Sequence, residues 1–255
     1  MLKIRPEQMS AFEQAARRRF EDEMVVHSKG FATRLCEVIG DRQVRVAVRS
    51  AMARAATYGF TDRGPVQLFI EMTLLCGSGF DTDPQYPAVG ECLRAPSDQM
   101  QRAEEIHAGY CDFLERVSGP GASNVYRALK ELLQLARGPL KFADDFVPAL
   151  LQEMNRIFPQ KVAYSGESGL NGLMKEALAE AQVYGFTTVR QQVLIVTLKF
   201  AFGHGCTDDP LYPWISRTLQ DRKIKSPQAR AARLEKKAVT WLEHVIADNE
   251  RGATA

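Results

Sequence analysis

Few places along this 255-residue chain could do chemistry. The densest gathering of reactive side chains is Gly203-His204-Gly205-Cys206-Thr207-Asp208-Asp209, where an imidazole, a thiolate and a carboxylate could hold zinc through His204, Cys206 and Asp208. An earlier stretch, Gly77-Ser78-Gly79-Phe80-Asp81-Thr82-Asp83, runs parallel to it, but Ser and Phe stand there in place of His and Cys. Glycine and Asp are what the two share, and these are the residues of a helix-ending turn followed by a cap. The structural reading is therefore preferred. A metal protein or enzyme centred on His204 and Cys206 is the alternative of a different class.

The other candidates for chemistry are thinner. Asp81, Asp83, Asp208 and Asp209 are not followed by the D-x-D-x-D-G-x₅-E run of a calcium loop, so helix capping is the better reading. Histidines 27, 107, 204 and 244 are far apart, and no Ser or Cys sits in a nucleophile-elbow or protease context. Cys36, Cys76, Cys92, Cys111 and Cys206 are odd in number and form no C-x-x-C pair, which favours buried free thiols. No catalytic residue and no cofactor is assigned.

What positions these residues is an internal repeat. Tyr58-Gly59-Phe60-Thr61 recurs as Tyr184-Gly185-Phe186-Thr187, a spacing of 126 residues (184 minus 58) that holds for some thirty-five positions. Gly77 and Gly79 fall on Gly203 and Gly205, Asp83-Pro84 on Asp209-Pro210, and Tyr86-Pro87 on Tyr212-Pro213. Upstream, Phe20 meets Phe146; downstream, after a two-residue slip, Leu114-Glu115-Arg116-Val117 resembles Leu242-Glu243-His244-Val245. The copies span roughly 7–118 and 134–247. We read residues 1–118 as one helical module, 119–138 as a linker and connecting helix, and 139–255 as the second module, with the modules packed against each other.

Shared punctuation means a shared backbone path. Gly59 and Gly185 suit the left-handed position after a helix, where a residue without Cβ escapes the steric penalty. Thr61 is expected to cap the following helix in the first copy; Thr188-Val189-Arg190-Gln191 has the form of a capping box in the second. Gly77 and Gly203 should end those helices, and Asp83-Pro84 and Asp209-Pro210 should begin the next. Apolar residues recur at three and four over 41–57 and 170–184. The β-branched run at 192–202 could suggest a strand, but its partner 66–76 reads as a buried helix, and the repeat requires one answer for both. The predicted fold class is all-α, two tandem copies of a multi-helix module.

Charge excludes some functions. A net charge of +2 creates no global field for nucleic acid or anionic lipid. The start lacks an apolar leader run and no stretch approaches a membrane span, so a cytoplasmic protein is expected. Two basic stretches remain, Arg17-Arg18-Arg19 and a C-terminal set of Lys223, Lys225, Arg230, Arg233, Lys236 and Lys237. Both read as faces of amphipathic helices with acids nearby, Glu13, Glu21, Asp22 and Glu23 for the first and Glu235 for the second, so a solvated face is the preferred reading of each. The second is the better docking surface for an acidic partner; nucleic-acid binding through 222–237 is a weaker idea. Tyr86, Tyr212 and Trp214 open the short helices after each Asp-Pro; packing onto their own module is the simpler reading, and lining a groove for a partner segment is the alternative.

The pattern Tyr-Gly-Phe-Thr, apolar helix, Gly-x-Gly-Phe-Asp-Thr-Asp-Pro-x-Tyr-Pro over 58–87, repeated in degraded form over 184–213, resembles a family of small helical proteins encoded in bacterial type VI secretion clusters near spike, chaperone and effector genes. His204, Cys206 and the Thr-Asp order depart from that pattern. The resemblance implies a non-enzymatic cytosolic partner of a secreted toxin, either an adaptor or co-chaperone that helps an effector load, or an immunity protein that neutralises it. The expectation is thus a protein-binding accessory factor that acts through helix surfaces and an inter-module groove on an effector, spike or chaperone subunit.

Overall fold

Glycine and proline decide where the helices stop and start. The computed structural model describes residues 5–140 and 146–252. The sequence readings that touch 1–4, 141–145 and 253–255, including the leaderless start and the outermost domain limits, lie outside the described residues. The described residues form twelve α-helices and no strand: α1 (Pro6–Phe31), α2 (Thr33–Ile39), α3 (Asp41–Thr57), α4 (Arg63–Cys76), α5 (Pro87–Arg94), α6 (Gln99–Phe113), α7 (Ser123–Arg137), α8 (Phe146–Ile157), α9 (Pro159–Val183), α10 (Val189–Phe202), α11 (Pro213–Leu219) and α12 (Pro227–Gly252). The 192–202 run lies inside α10, and no helix among the described residues is long and apolar enough to cross a membrane.

α3 and α9 end in the same way. Gly59 and Gly185 take φ of 72° and 71°. Phe60 N–H donates to Ala55 C=O at 3.0 Å and Gly59 N–H to Ala56 C=O at 3.0 Å, while Phe186 and Gly185 do the same to Ala181 and Gln182 at 2.9 Å each. These are paired 6→1 and 5→2 bonds, which satisfy carbonyls that the last helical turn leaves open. They also aim Phe60 and Phe186 inward, where both are almost completely buried. α4 and α10 start and stop 126 residues apart (189 minus 63; 202 minus 76). Gly40 and Gly166, also 126 apart, have φ of 79° and 67°, so the kink inside α9 falls where α2 gives way to α3.

Two expected starts are corrected. α5 and α11 begin at Pro87 and Pro213, with Tyr86 and Tyr212 in the preceding position, and not at Asp83-Pro84 and Asp209-Pro210. Tyr-Pro offers the same N1 proline as Asp-Pro, and the Asp carboxylates are engaged elsewhere. Thr61 does not cap α4: Asp62 precedes the helix without a side-chain cap bond. Thr61 and Asp62 N–H groups donate instead to Gln99 Oε1 at 2.7 and 3.0 Å. In the second half Gln191 receives Thr187 and Thr188 N–H at 3.0 and 3.1 Å, and the Thr188 hydroxyl completes the capping box. One glutamine amide does the same task from α6 in one half and from within α10 in the other.

Two apolar cores result. Phe60, Phe69, Ile70, Met72, Phe80 and Leu93 centre the first, while Leu150, Ile157, Leu173, Phe186, Ile195 and Ile215 centre the second. Each such side chain contributes about 1.5–3 kcal/mol by leaving water. α4 and α10 run through the middle, with Phe69 packed against Phe80 at 4.7 Å between ring centroids. Phe113, Tyr164 and Tyr212 touch both cores, and Leu211 belongs to the first core although its chain segment lies in the second half. The turn at 119–122, with Gly119 and Gly121 at positive φ, carries the chain from the π-turn at Leu114–Ser118 into α7.

Candidate functional site

The Gly-x-Gly loops do their work on each other. Gly77 and Gly203 end α4 and α10 with φ of 95° and 93°. A Cβ on Gly77 would sit 2.7 Å from Phe202 C=O, and one on Gly203 would sit 2.9 Å from Cys76 C=O. Behind them Gly205 approaches Gly79. Only glycine lets two helix ends meet this closely. Asp209 Oδ2 then accepts Ser78 N–H at 2.7 Å, and Asp83 Oδ2 accepts His204 N–H at 2.7 Å. Each carboxylate uses its other oxygen on its own turn, from Gln85 N–H and Leu211 N–H at 2.8 Å. Asp83 and Asp209 are 3% and 1% exposed, so burial pushes the Asp209 carboxyl upward while the amides it accepts pull it back.

His204 belongs to this clasp. Its Nδ1 lies 2.9 Å from Glu176 Oε2, and its Nε2 lies 3.1 Å from both Gly79 C=O and Thr82 Oγ1. Cys206 is completely buried, and burial drives its thiol well above the ordinary value, away from the thiolate a metal needs. Asp208 is exposed. The structure does not bring His204, Cys206 and Asp208 together, and among the described residues no group of three His, Cys, Asp or Glu is placed to hold a metal. Cys36 and Cys76 are buried as expected, whereas Cys92 is half-buried and Cys111 is exposed.

Two buried lysines, which the sequence did not single out, finish the helix ends. Lys161 Nζ donates to Phe200 C=O, one of the α10 carbonyls beyond reach of the helix's own amides. Its ammonium lies 4.9 Å from the Phe200 ring centroid, and burial lowers it to about 8 against the pull of Asp83 and Cys76. Lys199 donates to His204 C=O and pairs with Glu180 Oε2 at 2.6 Å. The first half has a pair of opposite arrangement: Arg54, at the position matching Glu180, bonds buried Asp81 at 2.6 and 2.7 Å, with Tyr58 OH donating at 2.9 Å. Positions 54 and 180 thus each carry a member of an ion pair, with opposite sign and with partners at different positions in the two halves.

The surface candidates divide. Tyr86 is 7% exposed and packs inside the first core, so it is not a contact residue. The partner-contact alternative is corrected at this residue because its ring packs inward and meets Phe113 at 5.6 Å. Tyr212 is half-buried on Phe202 at 4.5 Å, and it lines a groove of about 430 Å³ between α2, α7 and α12, together with Leu35, Val38, Tyr126, Trp241 and Val245. Around Trp241 a second hollow of about 470 Å³ is lined by Trp214, Arg233, Lys236, Lys237, Thr240 and His244. Lys223 and Lys225 lie in the loop before α12 and not on a helix. Arg230 donates to Ile224 C=O at 3.1 Å and so braces that loop. Burial and then the neighbouring Arg233 and Arg217 lower Lys237, whereas Asp221 opposes them. The Arg17–Arg19 stretch lies on exposed α1, where Arg19 meets Glu23 at 3.2 Å in the expected i,i+4 way.

No known protein family, characterised protein or solved structure matches the chain.

Proposed function

We propose that the chain is a non-catalytic accessory factor, two copies of one helical module fused in tandem, that binds a partner protein in the groove between its halves. The single observation that carries this reading is the groove itself. Leu35 and Val38 from α2 face Tyr126 from α7 and Trp241 and Val245 from α12, and Val38 is 78% exposed. Aromatic and branched side chains at such a seam give large contact area at small cost in side-chain entropy, the chemistry of a helix-in-groove or peptide site. The Asp83 and Asp209 carboxylates of the Gly-x-Gly region are engaged across the halves, and Lys161 and Lys199 are engaged within the second half. The resemblance to type VI cluster proteins makes a secreted effector the partner class, with the chain as its adaptor or co-chaperone.

The test is to identify the genes adjacent to this one and to reconstitute the chain with any effector and spike proteins they encode. An adaptor forms a ternary complex with both, and Val38→Asp abolishes it while the helical content and melting temperature persist. An effector bound without spike or chaperone, together with protection of cells from its toxicity, would move the reading to an immunity protein. Binding that ignores Val38→Asp would place the contact elsewhere.

A further inference from the structure

The second hollow defines what the partner carries. It adjoins the groove through Trp241, whose ring is packed edge-on against Phe202 at 4.6 Å between centroids and cannot swing freely. On its far side Trp214 and Trp241 face Arg233, Lys236 and Lys237, with His244 at one end. Lys237 Nζ is held by Thr218 Oγ1 at 3.0 Å and forms no ion pair among the described residues; the nearby Asp221 meets Arg233 only at 3.7 Å. Cations crowded beside indoles, with one distant acid among them, form a concave surface of one sign.

The repeat shows that this surface is not required by the fold. At the 126- and 128-residue offsets, Trp214 matches Ala88 and Trp241 matches Phe113, while Arg233, Lys236 and Lys237 match Glu105, Ala108 and Gly109. α5 and α6 fold from the first set as α11 and α12 do from the second. The second half thus carries two indoles and three cations where the first builds the corresponding helix pair from Ala88, Phe113, Glu105, Ala108 and Gly109. The shared backbone path does not itself demand these residues.

We infer that this hollow is an acidic-peptide site, which receives Asp and Glu residues flanking the apolar anchor of the partner segment in the adjoining groove. The inference rests on the proposed groove reading, and deepens it by assigning the partner's charge. Carboxylates fit between Lys237 and Arg233, where they relieve the mutual repulsion of the cations, and the indole faces cover the carbon stems of the same residues.

The chain contains two tryptophans, and both line this hollow, so its intrinsic fluorescence reads the site directly. The probe is a synthetic peptide with a Leu-x-x-Leu anchor followed by four glutamates, compared with its Glu→Gln version and with a single-stranded DNA oligonucleotide. The expected result is a saturable change in tryptophan emission, with the Gln peptide about tenfold weaker and the affinity falling with added salt. Lys236→Glu with Arg233→Glu should remove that preference, and Arg18→Glu on the other basic stretch should leave it intact. Equal binding of the Glu and Gln peptides with Val38→Asp still disruptive overturns the acidic-site inference and leaves the groove reading standing. Val38→Asp without effect on a charge-selective peptide overturns the groove reading, and with it the placement of the anchor, while the charge preference of the hollow stands. No binding of the glutamate peptide at millimolar concentration, or tighter binding of the oligonucleotide, overturns the inference outright.

Discussion

Asp83 and Asp209 each complete a turn in the other's half of the molecule: Asp209 accepts Ser78 N–H and Asp83 accepts His204 N–H, both at 2.7 Å. Each also closes its own turn through a residue two positions on. Buried carboxylates that accept amides from both sides of a contact are costly to lose, because the amides left behind have no water to turn to.

Asp83→Ala and Asp209→Ala should therefore each lower unfolding free energy by about 2–4 kcal/mol. Urea denaturation checks this. Losses under ~0.5 kcal/mol in both would mean the clasp contributes nothing beyond ordinary surface contacts.

Glycine substitutions should rank by what their Cβ meets. Gly59→Ala has only the left-handed penalty to bear, about 1–2 kcal/mol, since its nearest neighbour would be the Arg102 guanidinium at 3.8 Å. Gly77→Ala and Gly203→Ala incur that penalty and also drive a methyl group into the carbonyl of the opposing helix end at 2.7 and 2.9 Å. Thermal melting should place Gly59→Ala well above the other two, and equal values for all three would contradict the close contact.

Lys161 sets a pH dependence whose sign follows from its depressed value. With a folded value near 8 against 10.5 unfolded, the unfolded chain holds the proton more tightly between those limits. Stability should then rise as pH goes from about 8 to 10, and the penalty for the charged ammonium is fully present below that window. Lys161→Met should flatten the slope measured by denaturant midpoints at pH 7.5 and 9.5. A slope that survives the substitution would assign it to another group.

Arg54→Ala should cost about 3–5 kcal/mol, since it strands the Asp81 carboxylate, 2% exposed, without its bidentate partner. Arg54→Ala combined with Asp81→Asn should recover part of that loss. Stability curves for the single and double variants measure the coupling directly.

Much of the backbone path was legible in the sequence because glycine at positive φ has few alternatives. Gly59, Gly77, Gly185 and Gly203 sit at the helix ends that their spacing indicated. Asp83 and Asp209 misled because an Asp before proline advertises a local cap, while the amides that claimed their second oxygens come from 121 and 131 residues away. Lys161 gave no signal at all: a lone lysine in the first turn of a helix reads as solvated, and only the α10 carbonyl above it reveals the burial. Tyr86 packs its ring inward, and an aromatic at a helix start does not by itself say which way its ring turns. Trp241 went unremarked in the sequence, although one of only two tryptophans in a chain is worth locating first.

The meeting of Gly79 with Gly205, flanked by two aspartates that each accept an amide from the opposite half, makes each half the missing ligand of the other. Covalent continuity through the turn at 119–122 holds the halves at an effective concentration in the millimolar range. Cutting the chain there would turn a first-order folding event into a bimolecular one, so that melting temperature, independent of dilution in the intact protein, would fall as the severed halves are diluted.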